Sequence, residues 1–103
     1  MSFVVRKLPL AEQDALDAAI WYDERQPGLG EEFLDEVDRA VDALTVESMH
    51  HRIRFADVRR AVIHRFRFYG IYYVVRGDDV WILAIFHGRR HPRLLQERVT
   101  QIG

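Results

Sequence analysis

The chain has 103 residues, 49% of them hydrophobic and 12% aromatic, with no cysteine and a formal net charge of −1. That length allows one domain, residues 1–103, with a real core; the missing cysteines exclude a disulfide framework, a thiolate metal site and a cysteine nucleophile. A charge so near zero argues against indiscriminate nucleic-acid binding, and the absence of a signal-type leader or an apolar run of ~18 residues predicts a cytoplasmic protein with no membrane span.

In chain order, residues 3–7 are short, apolar and β-prone, and predict a first strand. Pro9 suits the first turn of a helix, where its missing N–H has no partner to lose. Leu8, Ala11, Ala15, Ala18, Ala19 and Tyr22 then recur at helical spacing, which predicts helix one over about residues 9–25. Gln26-Pro27-Gly28-Leu29-Gly30 is a tight break. Helix two follows, with Phe33, Val37, Ala40, Val41 and Leu44 as its buried stripe and Glu31, Glu32, Asp35 and Glu36 toward its positive end. So short a connection predicts an antiparallel helical hairpin. Residues 45–55 carry the weakest signal, although 53–55 can open a strand.

From Asp57 onward the runs are β-branched and aromatic, broken by Gly77-Asp78-Asp79, and predict a meander of strands over about 57–66, 71–76 and 80–87. A short helical tail is expected over 93–98. The order β-α-α-β-β-β gives an α+β fold: a helical hairpin packed on a small, mostly antiparallel sheet.

The charge is divided along this order. Residues 1–50 hold 4 Lys+Arg against 12 Asp+Glu, and residues 51–103 hold 11 against 4. Fourteen of the 15 cations are arginine, whose planar fork suits two-point contacts with carboxylate or phosphate. Such halves predict either an acidic layer that neutralises a basic sheet or an anionic partner that meets one side only.

No phosphate-binding glycine loop, dinucleotide fingerprint or His-Glu-x-x-His is present, so neither a cofactor nor a metal is expected. His50-His51 lies in a polar loop and reads as surface, because neighbouring residues seldom converge on one ion. His64 alternates with Val62 and Phe66 and reads as a structural histidine on a half-buried face. His87 closes the last strand before Gly88-Arg89-Arg90. It is either a strand-end residue bonding a backbone carbonyl or a general acid/base for phosphodiester cleavage, with arginines stabilising the developing charge. Strand alternation puts Arg59 with Arg65 on one face and Arg60 with Val62, His64 and Phe66 on the other. These arginines are either solvated or contact an anion. Phe66, Phe68, Tyr69, Tyr72 and Tyr73 interleave with them, as in platforms that stack single-stranded nucleic acid, although aromatics at this spacing more often form core. Tyr73, in line with Ile71 and Val75, belongs to the core.

Taken in order, several motifs resemble the RelE/ParE superfamily of small toxins from type II toxin–antitoxin, or plasmid-stabilisation, modules. They are Leu8-Pro9-Leu10-Ala11-Glu12-Gln13-Asp14, Trp21-Tyr22, Pro27-Gly28-Leu29-Gly30-Glu31-Glu32-Phe33, Val58-Arg59-Arg60, Tyr69-Gly70-Ile71-Tyr72-Tyr73 and Ala84-Ile85-Phe86-His87-Gly88-Arg89-Arg90-His91-Pro92, with Arg98 beyond. The resemblance implies a helical hairpin on a small antiparallel sheet, a cognate antitoxin and a toxin–antitoxin hetero-oligomer. It implies one of two targets. RelE-like members cleave mRNA on the ribosome without metal, which would make His87, Arg65 and Arg89 catalytic. ParE-like members poison DNA gyrase and are not known as enzymes. RNA-cleaving members commonly carry an arginine where this chain has Gly70, so the ParE-like branch is expected, with a degenerate, non-toxic binding module as a further alternative. Two other departures are Phe68, where the family often has proline, and His91, where it has an acid. The resemblance also assigns Arg59, Arg60, Arg65, Tyr72, Arg89, Arg90 and Arg98 to target or antitoxin contact, with the antitoxin expected between sheet and hairpin.

Overall fold

In the computed structural model, which describes residues 2–88 and 92–102, the buried hydrophobic residues of α1 (Pro9–Arg25) are all alanines: Ala11, Ala15, Ala18 and Ala19. Side chains this small bring the helix close to its neighbours. α2 (Leu29–Glu47) runs back along α1 and meets it at Gly30. An added Cβ on Gly30 would sit 2.8 Å from Asp23 Cγ and nearer still to the Ala19 carbonyl oxygen. The Gly30 N–H donates to Asp23 Oδ1 at 2.8 Å, so α1 satisfies an early N–H of a helix with no side-chain cap at its own N-cap. α2 turns Phe33, Val37 and Leu44 inward. Both helices and their stripes fall where expected, except that Leu29 and Gly30 open α2 instead of lying in the break.

β1 (Val4–Lys7), β2 (Ile53–Phe55), β3 (Val58–Val62), β4 (Tyr69–Arg76) and β5 (Asp79–His87) form one sheet in the order β1-β5-β4-β3-β2. β1 is parallel to β5, and the other three pairings are antiparallel. α3 (Pro92–Val99) and a short 3₁₀ turn (Thr100–Ile102) follow. The fold is α+β as expected, with one strand more than the pattern gave. Ile53–Phe55 is a separate edge strand, turned back on β3 at Ala56, whose φ is 50°.

The expected first strand of the meander also stops early, at Val62. Ile63 and Phe66 are both buried, and residues three apart cannot share one face of a strand. The chain bends instead: the Phe66 N–H donates to the Ile63 carbonyl, the Tyr69 N–H to the Phe66 carbonyl, and Arg65 takes a φ of 73°. His64 is therefore exposed in a turn, not half-buried on the sheet, and Arg65 does not share a strand face with Arg59.

Alternation along β4 separates two faces. Tyr69, Ile71 and Tyr73 point to the hairpin, paired with His87, Ile85 and Ile82 of β5; Gly70, Tyr72 and Val74 point to the far side, paired with Phe86, Ala84 and Trp81. A bulge leaves Leu83 without a direct partner on β4. Because β1 parts from β5 after Ile82, the upper edge of β5 has no strand neighbour among the described residues. Side chains close it. The Ile85 N–H donates to Asp14 Oδ2 at 3.1 Å, Arg98 donates to the Leu83 carbonyl at 3.1 Å, and Arg98 and Asp14 form an ion pair with side chains only 11% and 15% exposed. The edge is thereby denied to a foreign strand.

Candidate functional site

The far side of the sheet is only partly covered by α3. What remains is an open groove with a volume near 450 Å³, lined by Arg54 and Phe55 of β2, Arg60 of β3, Arg67 and Phe68 of the turn, Tyr72 of β4, His87 and Gly88 at the end of β5, and Pro92 and Leu95 of α3. No acidic residue is among these. Arg6, Arg39, Arg65, Arg76 and Arg98 each pair with a carboxylate, but Arg54, Arg60 and Arg67 form no ion pair with any described residue. Three like charges facing one concavity, with no counter-charge in its walls, attract an anion.

Arg60 is the most fixed of the three. Its Nε donates to the Tyr72 hydroxyl at 3.1 Å, its Nη2 makes a long contact to the Arg67 carbonyl at 3.4 Å, and its Cζ lies 5.7 Å from the Tyr72 ring centre. Its side chain crosses directly over Gly70, where an added Cβ would be 2.9 Å from Cζ. Gly70 thus leaves a space that a neighbouring strand fills with a guanidinium. Tyr72 itself is buried, its ring against Phe86, with its hydroxyl turned to the groove's arginine.

His87 pairs across the sheet with Tyr69 and closes β5 as expected. Its ring lies parallel to Phe68, 5.9 Å between centres, and meets Tyr69 edge-on at 5.8 Å. Phe68 is 74% exposed, an unusual position for a large apolar ring. On its other side His87 borders a smaller hollow shared with Asp14, Asp17 and Trp21 of α1.

The remaining expected site residues are dispersed. Arg59 donates to the carbonyls of His51 at 2.7 Å and Met49 at 3.3 Å, beyond the end of α2. Tyr73, fully buried, donates its hydroxyl to the Ser48 carbonyl there, and burial pushes its pKa up to about 12, with Arg59 pulling the other way. Together they satisfy carbonyls of the C-cap and of the turn that follows α2. His51 packs its ring edge-on to Tyr73 and is half-buried, not a free surface residue. Its pKa is lowered, first by burial, with His50 and Arg59 adding and Glu47 opposing.

Arg65 pairs with Glu32 at 3.1 Å and lines a separate hollow against Tyr22 and Leu29, away from Arg60. That hollow lies at the junction between sheet and hairpin, much of which is packed core. Of Arg59, Arg65, Arg89 and Arg90, the arginines expected to meet an antitoxin between sheet and hairpin, Arg59 and Arg65 each bond within the chain. Arg98 is used inside the molecule, on Asp14 and Leu83, which leaves it poorly placed for surface contact. Arg89, Arg90 and His91 lie outside the described residues. The pattern missed Arg54, and it placed Arg67 only beside the first meander strand, among arginines either solvated or in contact with an anion. The signal for Arg54 was the Ala56-Asp57 turn, which folds β2 back beside β3 and carries Arg54 to the groove.

The neutralising reading of the divided charge holds for part of the molecule. Arg65–Glu32, Arg98–Asp14 and Arg6–Asp79 neutralise across the two halves, and the groove arginines stay uncompensated. Among the described residues no three His, Asp or Glu side chains gather as a metal site, and no helix is long and apolar enough to cross a membrane.

A helical hairpin covers one face of the five-stranded sheet, and a basic, aromatic groove opens on the other. The sequence matches, over residues 5–92, the family described as the ParE toxin of the type II toxin–antitoxin system parDE, and the chain belongs to that family. Its fold is similar to that of a solved chain from a chromosomal ParDE toxin–antitoxin system of P. aeruginosa, with a TM-score of 0.75 at 17% identity, covering 84% of this chain and 96% of that one. No curated protein sequence matches it.

Proposed function

We propose that this protein is the toxin of a type II module, that it arrests bacterial growth by binding and poisoning DNA gyrase, and that a cognate antitoxin restrains it by laying an acidic segment in the arginine-lined groove. Family membership over residues 5–92 supports the toxin role and the gyrase branch. The observation that carries the antitoxin contact is geometric: Arg54, Arg60 and Arg67 converge without a described carboxylate partner. A disordered acidic segment that orders on binding would provide the missing charge.

One observation favours a second reading. His87 shares the groove with Arg60 and Arg67, the combination that metal-free RNA cleavage uses as acid/base and phosphate contacts.

Induced expression in a bacterial host, with DNA-damage signalling and bulk translation followed together, separates the two. Damage signalling with filamentation while translation continues supports gyrase poisoning, and purified protein should then trap cleaved DNA on gyrase. Rapid translation arrest with cut messages, abolished by His87→Ala, supports the ribonuclease. No growth arrest at all refutes both.

A further inference from the structure

Within the groove the three arginines are not equivalent. Arg54 and Arg67 are exposed, and no bond to their side chains holds them in place among the described residues. Arg60 is held on three sides. Tyr72 accepts from Nε, the Arg67 carbonyl accepts from Nη2, and the bare backbone of Gly70 forms the floor under Cζ. The Nε–Nη2 edge of the guanidinium is thus turned to the protein. The Nη1–Nη2 edge offers one proton from each nitrogen, and no described group accepts from Nη1. An end-on fork of this kind matches the two oxygens of a carboxylate. Because its rotamer is already fixed, binding loses little side-chain entropy there.

Resting on the toxin–antitoxin reading above, we propose that Arg60, Gly70 and Tyr72 form a preorganised carboxylate receptor, and that it takes one Glu or Asp side chain of the partner's acidic peptide. Gly70 is then a specificity residue, although it touches no ligand. Any side chain at position 70 enters the space that Arg60 occupies and swings the guanidinium off its seat. The crowded atoms all belong to the Arg60 side chain, from Cγ to the guanidinium, so Gly70→Ala disturbs Arg60 first. Arg54 and Arg67, flanking it, supply long-range attraction and the salt dependence of binding. Phe68 beside them offers an apolar ring to the neighbouring residues of the peptide.

The test uses the full chain and three probes: an N-acetylated peptide of alternating glutamate and leucine, inorganic phosphate, and a ten-nucleotide oligo-dT. Binding is read from backbone amide cross-peaks by ¹H–¹⁵N NMR in every variant, and also from the Arg60 Nε–Hε cross-peak in the chains that keep Arg60. The expected result is a saturable shift with the glutamate peptide, and affinity about ten-fold weaker in both Gly70→Ala and Arg60→Lys, the loss of one charge-assisted contact. Tyr72→Phe should give an intermediate loss. Circular dichroism melting of each variant shows that the fold survives, and if Gly70→Ala unfolds, Arg60→Lys and Tyr72→Phe carry the comparison. Peptide affinity unchanged in Arg60→Lys, or oligo-dT or phosphate binding where the peptide does not, overturns the proposal. Because these titrations do not depend on toxicity, a failed growth-arrest assay removes the toxin reading and leaves the receptor test intact.

Discussion

The two faces of this sheet are built from alternate residues of the same strands, yet they behave oppositely. Under the hairpin, Ile71, Tyr73, Ile82 and Ile85 are wholly buried, and the Tyr73 hydroxyl and the Arg59 guanidinium donate to carbonyls at and just beyond the end of α2. On the far face Arg60 and Tyr72 border a groove that α3 leaves open. Two long helices can bury a face completely, whereas an eight-residue helix covers one end of it. Stability is concentrated on the first face and binding capacity on the second. The difference shows that a strand's alternation assigns sides but not roles, which depend on what lands on each side.

The largest test of this contrast is a pair of phenylalanines. Phe33→Ala, at a fully buried site packed on Tyr22, Phe66 and Tyr69, should lower stability by about 3–5 kcal/mol in denaturant unfolding. Phe68→Ala, on the open face, should change it by no more than about 0.5 kcal/mol while weakening partner binding. Equal losses would mean that the two faces are not divided in this way.

Next in size is the clamp on the β5 edge. Asp14→Ala leaves Arg98 half-enclosed without its carboxylate and removes the acceptor of the Ile85 N–H, which should cost about 3 kcal/mol. In a double-mutant cycle with Arg98→Leu, the second loss should be much smaller than the first. Additive losses would show that the pair does not act as one unit.

The smallest effects are those of pH, and they belong to the hairpin face. Folded Tyr73 keeps its proton to about pH 12, whereas an unfolded tyrosine releases it near 10. The folded state therefore binds more protons in that window, and stability should fall as pH rises from about 10 to 12. Tyr73→Phe, itself destabilising by about 1 kcal/mol, should flatten that alkaline slope. His51 behaves in the opposite sense. Its folded pKa lies below 6.5, so its contribution is complete above that pH and is lost as pH falls below it. His51→Gln should flatten the acid side of a melting-temperature profile; an unchanged profile would remove His51 as a contributor.

Much of the architecture was legible from residue order. The alanine spacing of α1, the Phe33–Val37–Leu44 stripe and the Tyr73 core position all follow from periodicity, because burying one face imposes that periodicity directly. The residues that misled were those whose neighbours are distant in sequence. His64 and Arg65 look like strand residues, but Ile63 and Phe66 both had to reach the core, and the chain turned to let them. Arg98 looks like a surface cation, and only the gap left where β1 departs from β5 drew it inward to Asp14.

The sequence by itself determined the helical hairpin, the three long β-runs, the charge division between halves and the resemblance to a toxin family, since each rests on local composition and spacing. Tertiary structure alone decided which arginines are free to meet a partner. That choice depends on whether a carboxylate from elsewhere in the chain lies within reach: Glu32 reaches Arg65 and Asp14 reaches Arg98, but no described carboxylate pairs with Arg60 across Gly70. Ion pairing is a matter of a few ångströms between residues dozens of positions apart, and spacing along a sequence does not encode it.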